Sequence, residues 1–276
     1  MTLCVAAISG YGGRKPLLVI GTDWKASSGI AGAENQDKLR WVTPNIPLLL
    51  AGTISRAIQL FDTYRQYMEM LEKREPPVVL TDLNVGDIIR RPPTLLKAKL
   101  VDEYTGLKFG LSYKNFRLAV SRKEIPESVA VGAYADIRKI NLDCEVILPF
   151  FVDREPYIFK VDSDGEVEEC DNFAAIGSGS TIAEGSLFQR KHEDRMSLGR
   201  TVYHVYEAMR LGSIASDVGS EHTLNVLYPP GVRGEALSGD TTTKKADKFL
   251  KRKFEKFGPT QFVKMPLPRG FWHSDF

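Results

Sequence analysis

The residues most able to do chemistry stand in the first part of the chain. Thr2 directly follows Met1, Asp23 ends an apolar segment, and Lys38 precedes another. A threonine at a chain terminus, with an acid and a lysine nearby, can form a nucleophile tuned by neighbouring charges. Because Thr2 is small, we expect Met1 to be removed, which frees an α-amine with an ordinary pKa of about 7.7–8.0. One residue would then supply both the Oγ nucleophile and a general base.

Short apolar strands would position these groups. Residues 2–9 and 17–23 predict a β-hairpin around a glycine-rich turn, which returns Asp23 to the start of the chain. A further strand over residues 46–51 ends at Gly52. A glycine at that point allows a substrate backbone to approach closely.

Helical periodicity follows these strands. Apolar residues spaced along 55–72 predict an amphipathic helix. The pair Pro92-Pro93 predicts a break, so that a second helix begins near Thr94. We interpret residues 111–140 as mixed loop and strand.

The second half of the chain returns to strands and then to helices. The apolar patterns predict strands over 145–152, 155–161, 173–176 and 223–227, and helices over 180–190 and 197–211. This alternation of blocks predicts an α+β fold with helices packed on antiparallel sheets. The pattern alone does not fix the number of layers.

Composition narrows the class of protein. The 276 residues suffice for one large domain or two small ones, and the net charge of +2 does not indicate a nucleic-acid binder. No secretory signal is visible, and no apolar run approaches the ~18 residues of a membrane span. Three widely spaced cysteines fit a reducing compartment, so we expect a cytoplasmic protein. The four histidines lack metal-ligand spacing, and we expect no metal and no cofactor.

Several motifs, taken together and in order, resemble a proteasome β-type subunit or the bacterial proteasome-like peptidase, which are N-terminal nucleophile hydrolases. The motifs are Thr2, Gly21-x-Asp23-x-Lys25-Ala26-Ser27-x-Gly29, Lys38, Ala51-Gly52-Thr53, Ile176-Gly177-Ser178-Gly179-Ser180 and Asp217-x-x-Ser220. The resemblance covers roughly residues 2–230. It departs from the family pattern at Glu221-His222-Thr223, where small glycines are usual.

The resemblance implies a set of catalytic roles. Thr2 is the nucleophile, Asp23 holds Lys38 charged and oriented, and the N–H of Gly52 stabilises the oxyanion. Accessory polar residues that position the amine and a water are Ser178, Asp217 and Ser220.

The resemblance also implies how substrate binds. Ser27 matches a position whose backbone binds an extended peptide as an added strand. Leu50 and Ile54 would flank the first specificity pocket and favour an apolar or small side chain.

Architecture and partners follow from the same resemblance. It implies a four-layer αββα sandwich over residues 2–231, self-assembly into homo-oligomeric rings or related assemblies, and peptide or unfolded-protein substrates. A separate ATPase unfoldase often supplies substrate to such assemblies, although this chain carries no ATPase motif.

A basic and aromatic extension, residues 232–276, follows the resembled domain. Its segment 244–256 has the pattern of a basic amphipathic helix, which can bind membranes or nucleic acid. We favour docking on its own or a neighbouring subunit, with neither membrane nor nucleic acid as partner.

The leading hypothesis is a threonine-type peptidase, and three alternatives stay open. The chain could be a non-catalytic structural subunit of the same fold. It could be an amidohydrolase of that fold acting on small molecules. The most distant alternative is an adaptor that works through residues 244–256.

Overall fold

The computed structural model describes residues 2–10, 16–23, 25–28, 31–34, 38–214, 222–230 and 240–258. Strands and helices alternate in blocks along this part of the chain. The first block consists of β1 (Leu3–Ser9), β2 (Leu17–Asp23), β3 (Lys25–Ser28), β4 (Ala31–Glu34), β5 (Leu39–Thr43) and β6 (Ile46–Gly52). Four helices follow, α1 (Ile54–Glu72), α2 (Val85–Phe109), α3 (Tyr113–Ser121) and α4 (Glu127–Arg138). The remaining elements are β7 (Cys144–Val152), β8 (Glu155–Val161), β9 (Val167–Glu169), β10 (Phe173–Gly177), α5 (Ser180–Gln189), α6 (Leu198–Gly212), β11 (His222–Leu227), β12 (Asp240–Thr241) and α7 (Lys244–Phe257).

Two five-stranded antiparallel sheets form the centre of the fold. Their strand orders are β10-β1-β2-β11-β12 and β5-β6-β7-β8-β9, while β3 and β4 form a separate hairpin. Side chains alternate between the faces of a strand. Cys4 and Ala6 of β1 therefore share one core cluster with Leu49 and Ile147 of the second sheet. The odd-numbered residues from Leu3 to Ala7 belong to a cluster that includes α5 and α6.

Helices pack on both sheets. A cluster that includes Tyr203 and Met209 of α6 and Leu250 of α7 lies against the first sheet. Another cluster joins α1 and α2 to the second sheet and includes Tyr64 and Phe150. This combination of helices with antiparallel sheets confirms the predicted α+β class.

The predicted break at Pro92-Pro93, with a helix start near Thr94, is wrong. Helix α2 runs through both prolines without interruption. A proline has no N–H, so it leaves the carbonyl four residues earlier without its helical partner. For Pro93 that carbonyl is Ile89, and it accepts a 2.8 Å hydrogen bond from the buried hydroxyl of Tyr64 in α1. A tertiary contact thus replaces the missing helical bond.

The interpretation of residues 111–140 as mixed loop and strand is also wrong, because this segment forms α3 and α4. The Oγ of Ser112 caps α3 by accepting a backbone N–H. The ring of Phe116 lies 4.8 Å from Phe109 and 5.7 Å from Tyr134, between centroids. Helices of this length are marginal alone, so packing stabilises them here.

Helix α7 packs on α6 of the same chain. Ala246 and Leu250 are buried in the cluster around α6. Just beyond α7, the carbonyl of Gly258 accepts a 2.7 Å hydrogen bond from Arg190 Nη2. Arg190 Nε also donates to Glu207 Oε2 of α6 at 2.8 Å, with both side chains largely buried. These bonds fix the end of α7 against the helix pair α5 and α6.

Candidate active site

Thr2 lies immediately before β1, and only 9% of its surface is exposed. Leu3, the next residue, pairs with Gly177 of β10. Gly177 has φ +93°, and a Cβ added there would overlap the carbonyl oxygen of Thr2. A glycine is therefore required at position 177, because the backbone of β10 lies directly against the proposed nucleophile.

Asp23 and Lys38 form a buried ion pair beside the start of β1. Lys38 Nζ donates to Asp23 Oδ1 at 2.6 Å, and the same oxygen accepts a 2.8 Å bond from the N–H of Leu3. The side chain of Lys38 is 6% exposed and that of Asp23 is 0% exposed. One carboxylate oxygen thus binds both the ammonium and the backbone that follows Thr2.

The sheets explain how these two side chains meet. Asp23 is the last residue of β2, which pairs with β1 along its length. Lys38 precedes β5, and its carbonyl accepts a 2.9 Å bond from the N–H of Leu50 in β6. Asp23 therefore comes from the first sheet and Lys38 from the edge of the second.

Gly52 ends β6 with φ +93° and is exposed. A Cβ at this position would lie 2.7 Å from the carbonyl oxygen of Asp143 and 2.8 Å from Cys144 Cα. Any other residue would both strain the backbone and collide with the neighbouring strand. The bare backbone suits the close substrate approach that an oxyanion donor needs.

The predicted substrate-binding residues belong to three different elements. Ser27 pairs with Gly32 in the β3–β4 hairpin, which follows the Asp23 end of β2. Leu50 is 8% exposed and belongs to the core under α1. Ile54 begins α1 and is 40% exposed, so it is the more accessible of the two apolar side chains.

The accessory residues are only partly described. Ser178 directly follows β10 and is exposed. Asp217 and Ser220 lie outside the described residues. The chain is described again from His222, which pairs with Asp23 in the sheet.

Cys4 is a second nucleophilic side chain near this site. Burial, together with the charge of Asp23, raises the pKa of its thiol far above the ordinary value, and Lys38 opposes this only in part. Its Sγ donates to the carbonyl of Leu50 at 3.6 Å. A neutral, fully buried thiol is a poor nucleophile, so the threonine hydroxyl is the better candidate of the two.

Sequence reasoning missed Glu145, the first residue after Cys144 in β7. Its Oε2 accepts a 2.8 Å hydrogen bond from the N–H of Gly177. The available signal was a charged residue in a strand that is otherwise apolar, Cys144–Val152.

Two further properties of the described residues bear on function. They contain no group of three or more His, Cys, Asp or Glu arranged to hold a metal ion. Across the same part of the chain, no helix combines the length and the apolar character that a membrane crossing requires.

The Proteasome subunit family model matches residues 134–228. This match confirms the resemblance to proteasome-like N-terminal nucleophile hydrolases. The matched segment contains Ser178, whereas Thr2, Asp23 and Lys38 lie before it. Comparison with curated proteins gives no match.

Proposed function

We propose that this chain is a threonine-type peptidase of the proteasome-like class, in which Thr2 becomes the N-terminal residue after removal of Met1. The observation that carries the proposal is the shared Oδ1 of Asp23, which binds both Lys38 and the N–H that follows Thr2. This bond pattern holds a positive charge at the start of β1. A buried charge pair at that point suits nucleophile activation better than simple stabilisation.

The proposed reaction uses few groups. The α-amine of Thr2 takes the proton from its Oγ as the oxygen attacks the substrate carbonyl. The charge of Lys38 lowers the pKa of both the hydroxyl and the amine. The N–H of Gly52 stabilises the oxyanion, the leaving amine takes up the proton, and water then hydrolyses the ester on Thr2.

We infer a substrate that binds in extended form. The β3–β4 hairpin carries Ser27, and a peptide would add to it as a further strand. An exposed Ile54 and a more buried Leu50 suit an apolar or small side chain at the first pocket. Peptides and unfolded proteins present such extended segments, so they are the proposed substrate class.

The family match also supports a proposal about assembly. The proposed domain, residues 2–231, would adopt the four-layer αββα arrangement of the family and join copies of itself in a closed ring. The packing of α7 on α6 supports docking of the extension, residues 232–276, on its own subunit. A separate ATPase would unfold protein substrates, and three free cysteines favour the reducing cytoplasm.

Intact mass before and after treatment with a peptide epoxyketone tests the catalytic proposal. This reagent closes a ring only on an N-terminal residue that has both a free α-amine and a hydroxyl on Cβ, as Thr2 would have after removal of Met1. We expect a mass without Met1 and a single adduct at Thr2, together with cleavage of a fluorogenic peptide.

Two variants of the nucleophile act as matched controls. Thr2→Ser keeps a hydroxyl and a free amine and is expected to keep part of the activity. Thr2→Ala is expected to fold normally but to lose both the adduct and peptide cleavage. Retention of Met1 with no adduct in the wild type would instead support a non-catalytic structural subunit, and turnover of small amides alone would support an amidohydrolase.

A further inference from the structure

Glu145 connects the two sheets close to the proposed nucleophile. It is the charged residue of β7, and its Oε2 accepts a 2.8 Å bond from the N–H of Gly177 in β10. Among the strands that the structure describes, β10 lies at the edge of its sheet and pairs with β1 alone. A side chain of the other sheet therefore accepts this N–H. A hydrogen bond to a carboxylate is stronger than one to a neutral oxygen.

Gly177 transmits this contact to the nucleophile. It pairs with Leu3, and its Cα lies against the carbonyl of Thr2 so closely that a Cβ would overlap that oxygen. A shift of Gly177 must therefore move Thr2 or open a gap beside it. The position of Thr2 depends on where β10 ends.

The backbone of Glu145 lies on the oxyanion side of the site. Glu145 pairs with Ala51 in β6, and the next pair in the register is Gly52 with Cys144. Ala51 Cβ lies 3.5 Å from the position that a Cβ of Gly177 would occupy. The side chain of Glu145 thus joins β7, which pairs with the strand that carries the proposed oxyanion donor, to β10, which supports the nucleophile.

We propose that Glu145 is a positioning residue, whose bond to Gly177 fixes Thr2 relative to Gly52. This inference rests on the proposed threonine peptidase function. Glu145 acts through Gly177 and takes no proton in the reaction. Because a misplacement of about 1 Å can lower a rate about 100-fold, loss of this bond affects the chemical step more than substrate binding.

Three variants isolate this role. Glu145→Ala removes the acceptor, and Glu145→Gln keeps an acceptor oxygen at the same side-chain length without the charge. Glu184→Ala is the matched control, because Glu184 of α5 also accepts a backbone N–H of β10, that of Ala175 at 3.3 Å. That bond lies two residues away from Gly177 and does not contact Thr2.

Peptide cleavage gives the first readout. In Glu145→Ala we expect kcat to fall about 10- to 100-fold while KM changes less than about twofold, because the site is misaligned rather than emptied. Glu145→Gln is expected to rescue kcat to within about threefold of the wild type, and Glu184→Ala to leave it unchanged. An unchanged kcat in Glu145→Ala, or an equal loss in Glu184→Ala, would overturn the proposal.

Hydrogen exchange at the Gly177 amide, followed by NMR, gives a readout that does not depend on activity. We expect faster exchange in Glu145→Ala than in the wild type, Glu145→Gln or Glu184→Ala. Unchanged protection would contradict the bond itself. Should Glu145→Ala fail to fold, Glu145→Asp replaces it in both experiments, because its side chain is one methylene shorter.

The failure of this inference and the failure of the proposed function are distinguishable. A wild-type protein without an epoxyketone adduct at Thr2 would remove the proposed function, and the role of Glu145 in that reaction with it. A wild-type protein that forms the adduct, and a Glu145→Ala variant that forms it at the same rate, would remove only the positioning role.

Discussion

The pair of Asp23 and Lys38 gives the clearest link between single side chains and function. Both side chains are almost fully buried. Removing each charge from water costs several kcal/mol, and this penalty offsets much of the electrostatic attraction between the two charges. Replacing a buried ion pair by apolar side chains of similar volume is often neutral or stabilising, although here the N–H of Leu3 would lose its acceptor. The cost of burying these charges supports the proposal that they serve chemistry at Thr2 rather than stability of the fold.

This argument predicts a non-additive mutant cycle. Asp23→Asn and Lys38→Met each break the pair and leave a buried charge without its counter-charge, which is expected to lower the free energy of unfolding by about 3–5 kcal/mol. The double variant removes both charges, while the amide oxygen at position 23 can still accept the N–H of Leu3. We expect its stability to return toward that of the wild type, measured by urea denaturation.

Activity should not return with stability in this cycle. All three variants are expected to lose most of the epoxyketone adduct at Thr2 by intact mass, because the amine and hydroxyl lose the nearby ammonium or its orienting partner. An active double variant, or stability losses that simply add, would indicate that Asp23 and Lys38 have only a structural role.

The close approach of Gly177 to the carbonyl of Thr2 can be tested by substitution of the glycine. Gly177→Ala is expected to cost about 1–3 kcal/mol from its positive φ alone, and more because the added Cβ overlaps the Thr2 carbonyl. Gly106 of α2 is the matched control, because its added Cβ meets no atom within 4 Å apart from its chain neighbours and the nearby backbone of its own helix. Gly106→Ala should stabilise the protein by about 0.5–1 kcal/mol. Thermal unfolding of the two variants, with shifts of opposite sign, checks this prediction.

Among the secondary-structure elements, α2 depends most visibly on a contact made by another helix. Burial raises the pKa of Tyr64, so its hydroxyl stays protonated and donates to the Ile89 carbonyl that Pro93 leaves without a helical N–H. Tyr64→Phe should cost about 1–3 kcal/mol, because a buried acceptor loses its donor.

The background variant Pro93→Ala tests the cause of that loss. It restores a backbone N–H at position 93, which can bond to the Ile89 carbonyl in the ordinary helical way. Tyr64→Phe should then cost less, with a coupling free energy of about 0.5–3 kcal/mol between the two sites. Tyr157→Phe is the control, because the hydroxyl of Tyr157 bonds to Asp82 at the surface. This variant should change stability little. Equal costs of Tyr64→Phe in both backgrounds would contradict the explanation.

The same contact shows where prediction from sequence reaches its limit. The predicted strand over 155–161 coincides with β8, because its apolar run and the turn that follows are local signals. The continuity of α2 depends on Tyr64, 25 residues before Ile89, and α3 depends on rings supplied by α2 and α4. Contacts between distant positions of this kind have no local pattern.

The candidate site divides in a similar way. The ordered motifs directed attention to Thr2, Asp23 and Lys38, because those residue types near one another can activate a nucleophile. Their catalytic roles stay a prediction. The bond between Glu145 and Gly177 joins residues of different sheets, 32 positions apart, and a single charge in an apolar strand was its only trace in the sequence.

The whole molecule contains a buried pair of histidines that ties distant segments together. His192 Nε2 lies 3.0 Å from the carbonyl oxygen of Ile8 at the end of β1, so this nitrogen must carry the hydrogen. Neutral His192 therefore accepts at Nδ1, and His204 of α6 donates from its own Nδ1 at 3.2 Å. In this arrangement of hydrogens, a proton added to Nδ1 of His192 would place two N–H groups face to face. The neutral pair thus joins β1, α6 and the loop between α5 and α6.

This pair predicts that the folded protein becomes less stable in mild acid. Burial lowers the pKa of His192, and burial together with the charge of His192 lowers the pKa of His204 to about 3. The unfolded chain, with histidine pKa values near 6.5, then binds more protons than the folded one. The contribution of both groups is complete above that value and is lost as pH falls below it. For His204 alone the loss between pH 7 and pH 5 should be about 2 kcal/mol.

Urea denaturation at half-unit intervals from pH 7 to pH 5 measures this slope, and His204→Gln isolates its source. A glutamine amide can still donate to His192, but it does not titrate, so the slope should become shallower without a large loss of stability at pH 7. Glu207 works in the opposite direction, because burial raises its pKa and protonation then favours the folded state as pH falls. Comparison of the variant with the wild type cancels that effect. An identical slope in the two proteins would show that His204 is not the group that senses pH.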